Sequence, residues 1–258
     1  MKSKYPIILV HGIAVKDNIF FKSFGKIEKV LKREGYCVST APTDGFGTVE
    51  SNANQLKAYI NGVLLKTGAE KVNLIAHSKG GLDSRYMIQN LGMEESVASL
   101  TTLCTPHKGS QWATKIYSLP MPVKKFIAFW INLWYRIFGD RKPDALTVCG
   151  QLRSVEEDTV SFGFSDKVYC QSYSTVLKKW HDDFLLGIPL IFSKRWENDS
   201  SDGLVSVGAS KFGEYRGNAL EDSVSHSEIV GFAVSKKKRK KVYAFYSSLC
   251  AELAKLGF

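Results

Sequence analysis

The sequence predicts an α/β chain with a mainly parallel central sheet and helices on both faces. Three observations carry that reading. Apolar, strand-like runs alternate with stretches of helical spacing through the first hundred residues, which is the pattern of βαβ units. One run, Val72-Asn73-Leu74-Ile75-Ala76-His77, passes through Ser78 directly into Lys79-Gly80-Gly81 and a helical segment. Ser78, Asp202 and His226 then stand in the chain order imposed by a sheet that carries a nucleophile at a strand end.

A chain of 258 residues is long enough to bury a substantial core and fits one domain. Hydrophobic residues make up 44% and charged residues 23%, ordinary values for a soluble globular protein. The net charge of +10 favours an anionic partner surface. The five cysteines are scattered without a CxxC pair, so neither a zinc site nor a redox motif is indicated, and a reducing compartment is expected. No secretory signal is legible at the start, so a cytoplasmic location, with peripheral membrane association, is the expectation.

The elements follow in order. Tyr5-Pro6-Ile7-Ile8-Leu9-Val10 reads as a buried strand with proline at its start, where a missing N–H is tolerated. It ends in His11-Gly12-Ile13, which offers the Ile13 amide to a developing oxyanion. Helical spacing covers residues 20–33, through Phe21, Phe24, Ile27, Val30 and Leu31, and Gly35 closes it. Residues 36–39 read as a short strand, 41–47 as a loop, and Leu56, Ile60, Val63 and Leu64 as the stripe of a second helix. At the Ser78 turn, strand and helix backbones must almost touch, so small residues are needed two before and two after the serine. Ala76 and Gly80 meet that need, Ala76 replacing the usual glycine. The Lys79 amide and the helix start lie beside the hydroxyl.

A further strand over residues 98–104 leads into Thr105-Pro106-His107. His11 and His107 are read as structural or positioning groups, because the base is expected later in the chain. Residues 126–138 are apolar almost all round, yet shorter than the roughly 20 residues that span a bilayer. Lys124, Lys125, Arg136, Arg141 and Lys142 frame them. They read as a lid, within an insertion at about residues 111–150, with a buried helix as the alternative. Phe126, Phe129, Trp130, Leu133 and Trp134 are its candidate substrate surface. Later come a strand at 168–173, an apolar run at 185–192 and a turn bearing Asp202. His226 is followed by a basic run, Lys-Lys-Lys-Arg-Lys-Lys at 236–241, at the entry of a last helix striped by Val242, Phe245, Leu249, Leu253 and Leu256. That run is read as a solvated face, with an anionic lipid surface as the alternative; no nucleic acid is expected.

Four motifs in order, Tyr-Pro-Ile-Ile-Leu-Val-His-Gly, Ala-His-Ser-Lys-Gly-Gly-Leu-Asp-Ser-Arg-Tyr-Met-Ile, Leu-Thr-Thr-Leu-Cys-Thr-Pro-His-Lys-Gly-Ser and Asp-Gly-Leu-Val-Ser-Val, resemble bacterial triacylglycerol lipases of the α/β-hydrolase fold. The likeness is to the Pseudomonas and Burkholderia group, and more closely to its signal-less relatives in Firmicutes. The resemblance implies Ser78 as nucleophile, Asp202 as acid, His226 as base, and the Ile13 and Lys79 amides as the oxyanion hole. It implies a structural calcium, held by a carboxylate two residues after the histidine, here Glu228, and by one of Asp182 and Asp183. The chemistry itself needs no cofactor.

Ester hydrolysis through an acyl-enzyme is therefore the expected activity, most simply as a triacylglycerol lipase. A carboxylesterase for shorter soluble esters has the same triad. A non-catalytic membrane-binding or interaction protein on a hydrolase scaffold is the reading from another class. The sequence leaves oligomeric state and acyl-chain length open.

Overall fold

A computed structural model describes residues 2–14, 17, 22–153, 166–183, 186, 190–191 and 199–258. Six strands form one parallel sheet: β1 (Ile7–Val10), β2 (Val38–Thr40), β3 (Val72–His77), β4 (Val97–Leu103), β5 (Tyr169–Ser174) and β6 (Glu214–Asn218). Their order across the sheet is β2-β1-β3-β4-β5-β6. Parallel strands covered on both faces read as unbroken apolar runs, which is why Ile7-Ile8-Leu9-Val10 shows no polar alternation.

Successive side chains go to opposite faces. Ile7, Leu9 and Ile75 pack with Phe24, Ile27, Leu31, Val242, Tyr246 and Leu249. These last come from α1 (Ile27–Arg33), the residues before it, and the closing helix α8 (Lys236–Lys255). Ile8, Val10, Leu74 and Ala76 pack with Leu56, Ile60, Met87 and Ile88, from α2 (Val49–Thr67) and α3 (Lys79–Asn90). The expected helix over 20–33 is described only as α1, and Phe21 lies outside the described residues. Strand β2 begins two residues later than its expected start, since Tyr36 still bonds back to Leu31 at the helix end. Of the run at 185–192, only Leu186, Leu190 and Ile191 are described.

Between β4 and β5 the chain adds α4 (Gln111–Tyr117), α5 (Met121–Ile137) and α6 (Ala145–Gln151). They close on a small core of Phe46, Ala113, Ala128, Ala145, Val148 and Leu152. Asp140 is buried and accepts from the Gly45 and Phe46 amides at 3.0 and 2.8 Å, tying the end of α5 to the loop after β2. A short helix, α7 (Val207–Ser210), precedes β6. The basic run at 236–241 forms the opening turns of α8, where Ser235 accepts from the Lys238 amide as cap.

The chain direction across the sheet reverses between β1 and β3, and at such a switch point the strand ends open a crevice. Ser78 ends β3 there, beside the His11-Gly12-Ile13 loop that ends β1.

Leu74, fully buried at the centre of the sheet, gives a direct test of this core. Leu74→Ala should cost about 2–5 kcal/mol in urea unfolding. Leu65→Ala, on the exposed side of α2, should stay within about 0.5 kcal/mol of wild type.

Candidate active site

Ser78 has φ 55° and ψ −133°, a conformation that L-residues hold only when their surroundings force it. Three glycines supply the force. A Cβ on Gly80 would lie 2.5 Å from the His11 carbonyl oxygen and 2.6 Å from that of Val10. A Cβ on Gly81 would meet Thr105 Oγ1 at 2.2 Å, and one on Gly12 would meet Ser78 Cβ at 2.6 Å and the Lys79 nitrogen at 2.9 Å. The loop after β1 therefore lies directly against the turn, and Ser78 is pushed out of the strand line. Ala76, in place of the usual glycine, buries its methyl in the core that faces α2 and α3.

His226 Nε2 lies 2.9 Å from Ser78 Oγ, and His226 Nδ1 lies 2.7 Å from Asp202 Oδ2. The other Asp202 oxygen accepts from the amides of Leu204 and Val205 at 2.9 and 2.8 Å. That sharing fixes the roles. Nδ1–H donates to Oδ2, so the Nε2 lone pair faces Ser78 and accepts from its hydroxyl. The His226 backbone is held as well: its N–H donates to the Asp202 carbonyl, and its carbonyl accepts from His77 Nε2, both at 3.0 Å. Burial, reinforced by the neighbouring His226, holds His77 well below the usual imidazole range, so it donates as a neutral ring. Sequence reading gave His77 no part, and nothing but its adjacency to Ser78 pointed to it.

Asp202, His226 and Cys104 bring their ligand atoms within 4.8 Å of one another. Burial, and the charge of Asp202, push the Cys104 thiol well above its ordinary range, so it stays protonated. It bonds Thr175 Oγ1 at 3.3 Å. The hydroxyl of Ser78, not this thiol, is hydrogen-bonded to Nε2. A thiol that stays protonated is a poor nucleophile, and His226 Nε2 is already engaged by the Ser78 hydroxyl.

Lys79 opens α3 directly after Ser78, and the Gly81 amide closes the turn on the Ser78 carbonyl at 3.0 Å. The Lys79 side chain adds something the sequence reading missed. Nζ is fully buried and donates to both Asp83 oxygens at 2.7 and 2.9 Å; Asn52 donates to the same carboxylate at 3.1 Å. Burial pushes Asp83 up to about 6, against the downward pull of Lys79 and Asn52. The i, i+4 spacing was the available signal.

His11 and His107 stand outside this chain of bonds. His11 is buried, bonds the Gly12 carbonyl through Nδ1 at 2.9 Å, and is held below its usual range by burial. His107 accepts from Arg85 at 3.0 Å, bonds Thr102 and stacks on Phe212.

The carboxylates expected to hold calcium are engaged otherwise. Both oxygens of Glu228 accept from Lys238 Nζ, at 2.8 and 2.7 Å, and one also accepts from the Ser225 amide at 3.0 Å. Asp183 accepts from Ser225 Oγ at 2.5 Å and from the Leu186 amide at 3.1 Å, while Asp182 accepts from Ser223 Oγ at 2.5 Å. With an ammonium seated on Glu228, this donor set does not fit a calcium ion, which takes six to eight oxygens.

A cavity of about 380 Å³ opens at Ser78 and His226, walled by Ile13, Leu119, Ile127, Ile131, Leu146 and Val205 among others. The wall facing α5 corrects the sequence reading. Lys124, Ile127, Ala128 and Ile131 share one face of the helix and line the cavity. Phe126, Phe129, Trp130 and Trp134 are 65, 60, 54 and 56% exposed, and Leu133 is exposed too. Composition alone does not say which stripe turns inward; packing on Phe46 and Ala145 decides it.

A protein-family profile described as palmitoyl protein thioesterase matches residues 6–160. The chain belongs to this family. Triacylglycerol lipase 2 of Saccharomyces cerevisiae is 28% identical over 255 residues, covering 90% of this chain and 73% of that protein. A triacylglycerol lipase of Burkholderia plantarii is 44% identical over 117 residues, covering 43% of this chain and 32% of its own. Over the fold, the Staphylococcus hyicus lipase superposes with a TM-score of 0.73 at 14% identity, covering 98% of this chain and 97% of that one. The protein is an α/β-hydrolase and a serine ester hydrolase, as its resemblance to bacterial lipases implied.

Within the family frame, the buried Lys79–Asp83 pair invites a test. Lys79→Met strands a carboxylate in the core, at a cost of about 3–5 kcal/mol. The Asp83 titration should move above its wild-type value of about 6, because the cation that lowers it is gone. An orphaned carboxylate escapes its penalty by taking a proton, so the destabilisation should be larger at pH 8 than at pH 5. Denaturant melts at the two pH values, with NMR titration of the carboxyl carbon, check both.

Proposed function

We propose that the protein is a lipase that cleaves long-chain acylglycerols at a lipid surface, with Ser78 as nucleophile, His226 as general base and acid, and Asp202 as the group that orients it. The observation that carries this reading is the unbroken hydrogen-bonded line from Ser78 Oγ through the His226 ring to Asp202, at the mouth of an apolar cavity.

A serine hydroxyl is a weak nucleophile until a base takes its proton. His226 Nε2 accepts that proton as Ser78 Oγ bonds the ester carbonyl carbon, and the carbonyl π electrons move to oxygen. Asp202 Oδ2 stabilises the resulting imidazolium. The Ile13 and Lys79 amides bind the oxyanion; each such donor typically contributes about 10²–10³ in rate. As the C–O bond to the alcohol breaks, Nε2–H protonates the leaving oxygen. Water then gives its proton to Nε2, attacks the acyl carbon, and releases the fatty acid with the Ser78 hydroxyl restored. A thioester donor, as the family description names, would pass through the same acyl-enzyme with a thiol leaving.

The two faces of α5 support the choice of an aggregated lipid as substrate. Ile127 and Ile131 offer the acyl chain an apolar wall. On the other side Phe126, Phe129, Trp130 and Trp134 project from the body, framed by Lys125, Arg136, Arg141 and Lys142. Aromatics in a cationic frame suit an interfacial helix on an anionic lipid surface. Among the described residues no helix is long and apolar enough to cross a membrane, so the contact would be peripheral. Residues 111–150 then act as the lid of a single domain.

Hydrolysis of p-nitrophenyl butyrate and palmitate, and of emulsified triacylglycerol, tests the reading. Ser78→Ala should abolish turnover of all three, and Asp202→Asn should lower kcat by about 10⁴. The double variant Trp130→Ser, Trp134→Ser should lose activity on the emulsion and keep it on dissolved butyrate. Turnover of butyrate but not of emulsion by wild type would replace the lipase with a carboxylesterase.

A further inference from the structure

We propose that Lys238 is a positioning residue whose ammonium occupies the place of a metal ion beside the catalytic loop, and so makes the enzyme independent of calcium. The proposal rests on the reading of His226 as the general base.

His226 has no secondary structure of its own. It sits in a turn just before the short 3₁₀ turn Glu228–Val230, and beyond the Asp202 and His77 contacts what fixes it comes from its neighbours in the chain. On one side is Ser225, whose amide donates to Glu228 Oε2 at 3.0 Å and whose hydroxyl donates to Asp183 at 2.5 Å. On the other side is Ser227, whose hydroxyl reaches the same Asp183 oxygen at 3.4 Å. The Glu228 amide bonds back to the Ser225 carbonyl at 3.2 Å. Two carboxylates thus grip the chain on either side of the base. Glu228 is almost fully buried, and a buried carboxylate needs a counter-charge.

That charge is Lys238. Its Nζ lies 2.8 and 2.7 Å from the two Glu228 oxygens, with the lysine side chain 19% and the glutamate 7% exposed. Lys238 belongs to the first turns of α8, and α8 is anchored to the sheet by the buried Val242, Tyr246, Leu249 and Leu253. The pair therefore ties the loop of the base to a rigid element of the core. A divalent ion between acidic side chains would give the same tie; an ammonium gives it from within the chain, with directional N–H donors. The basic run at 236–241 is in part explained by this: Lys238 turns inward while Lys236, Lys237, Lys240 and Lys241 stay exposed.

The test measures kcat and KM for p-nitrophenyl butyrate, and the melting temperature, with EDTA and with millimolar CaCl2. Wild type should respond to neither addition. Lys238→Met should lower kcat by about tenfold or more, as loss of a group that orients a catalytic ligand does, with KM little changed. Lys238→Arg should retain most of the activity. Calcium should raise the melting temperature of Lys238→Met alone, since only there does Glu228 lose its ammonium partner. Should Lys238→Met be too unstable to purify, Lys238→Gln, which keeps a donor without the charge, carries the same expectations in milder form. The proposal is overturned by an EDTA- or calcium-dependent shift in wild type, by a calcium shift in neither protein, or by a variant that melts earlier with kcat intact. Activity surviving in Ser78→Ala would instead defeat the underlying reading, whatever Lys238 does.

Discussion

The contact on which the rest depends is the approach of two loops at the switch point of the sheet. The backbone after β1 lies so close to the turn after β3 that Gly12 and Gly80 have no room for a Cβ. Ser78 can then only leave the strand with positive φ. That one constraint puts a hydroxyl above the sheet edge, the start of α3 beside it and the Ile13 loop across from it. None of these needs a side chain chosen for chemistry except the serine. The rest of the strand can therefore be spent on packing, as the fully buried β3 shows.

The acid and the base arrive differently. Asp202 and His226 lie in connections rather than in strands, so sheet geometry does not fix them. They are fixed by backbone groups: two amides on Asp202 Oδ1, the Asp202 carbonyl on the His226 amide, and His77 on the His226 carbonyl. Such a network leaves the imidazole one orientation and one tautomer. Buried ion pairs sit at its margins, Lys79 with Asp83 under the nucleophile and Lys238 with Glu228 behind the base. Buried pairs add little to stability over apolar residues of the same size, and breaking one is costly. What they offer here is a fixed partner at a fixed distance, next to groups that must not drift.

The fold was largely legible because each of its determinants is local. Apolar runs marked β1, β3 and β4, a stripe marked α2, and glycines marked the turn at Ser78. The order Ser78, Asp202, His226 carried the candidate site. Two things escaped, for the same reason. Lys79 was read for its amide alone, although its side chain is buried, because a lysine in a sequence looks like a surface residue. Glu228 was matched to a calcium ligand, although its counter-charge lies ten residues on in a run of six cations that looks uniformly solvated. A buried charge declares itself only through its partner, and the partner is chosen in three dimensions.

The same distinction bears on α5. Its composition announced an apolar helix, and composition is blind to direction. Packing gives it two different faces: aliphatic and small toward the cavity, aromatic toward solvent. A buried core helix would not leave four large aromatics more than half exposed, and a solvated one would not have them at all. In the proposed lipase this exposed apolar surface would meet the lipid, and the cationic frame around it would favour an anionic one. The helix that walls the cavity is also the helix that would meet the lipid. The helix is held to its surroundings by Asp140 beyond one end, by Asn132 on the Ala145 amide in its middle and by Lys124 on the Tyr117 carbonyl near its start, so both faces belong to one well-anchored element.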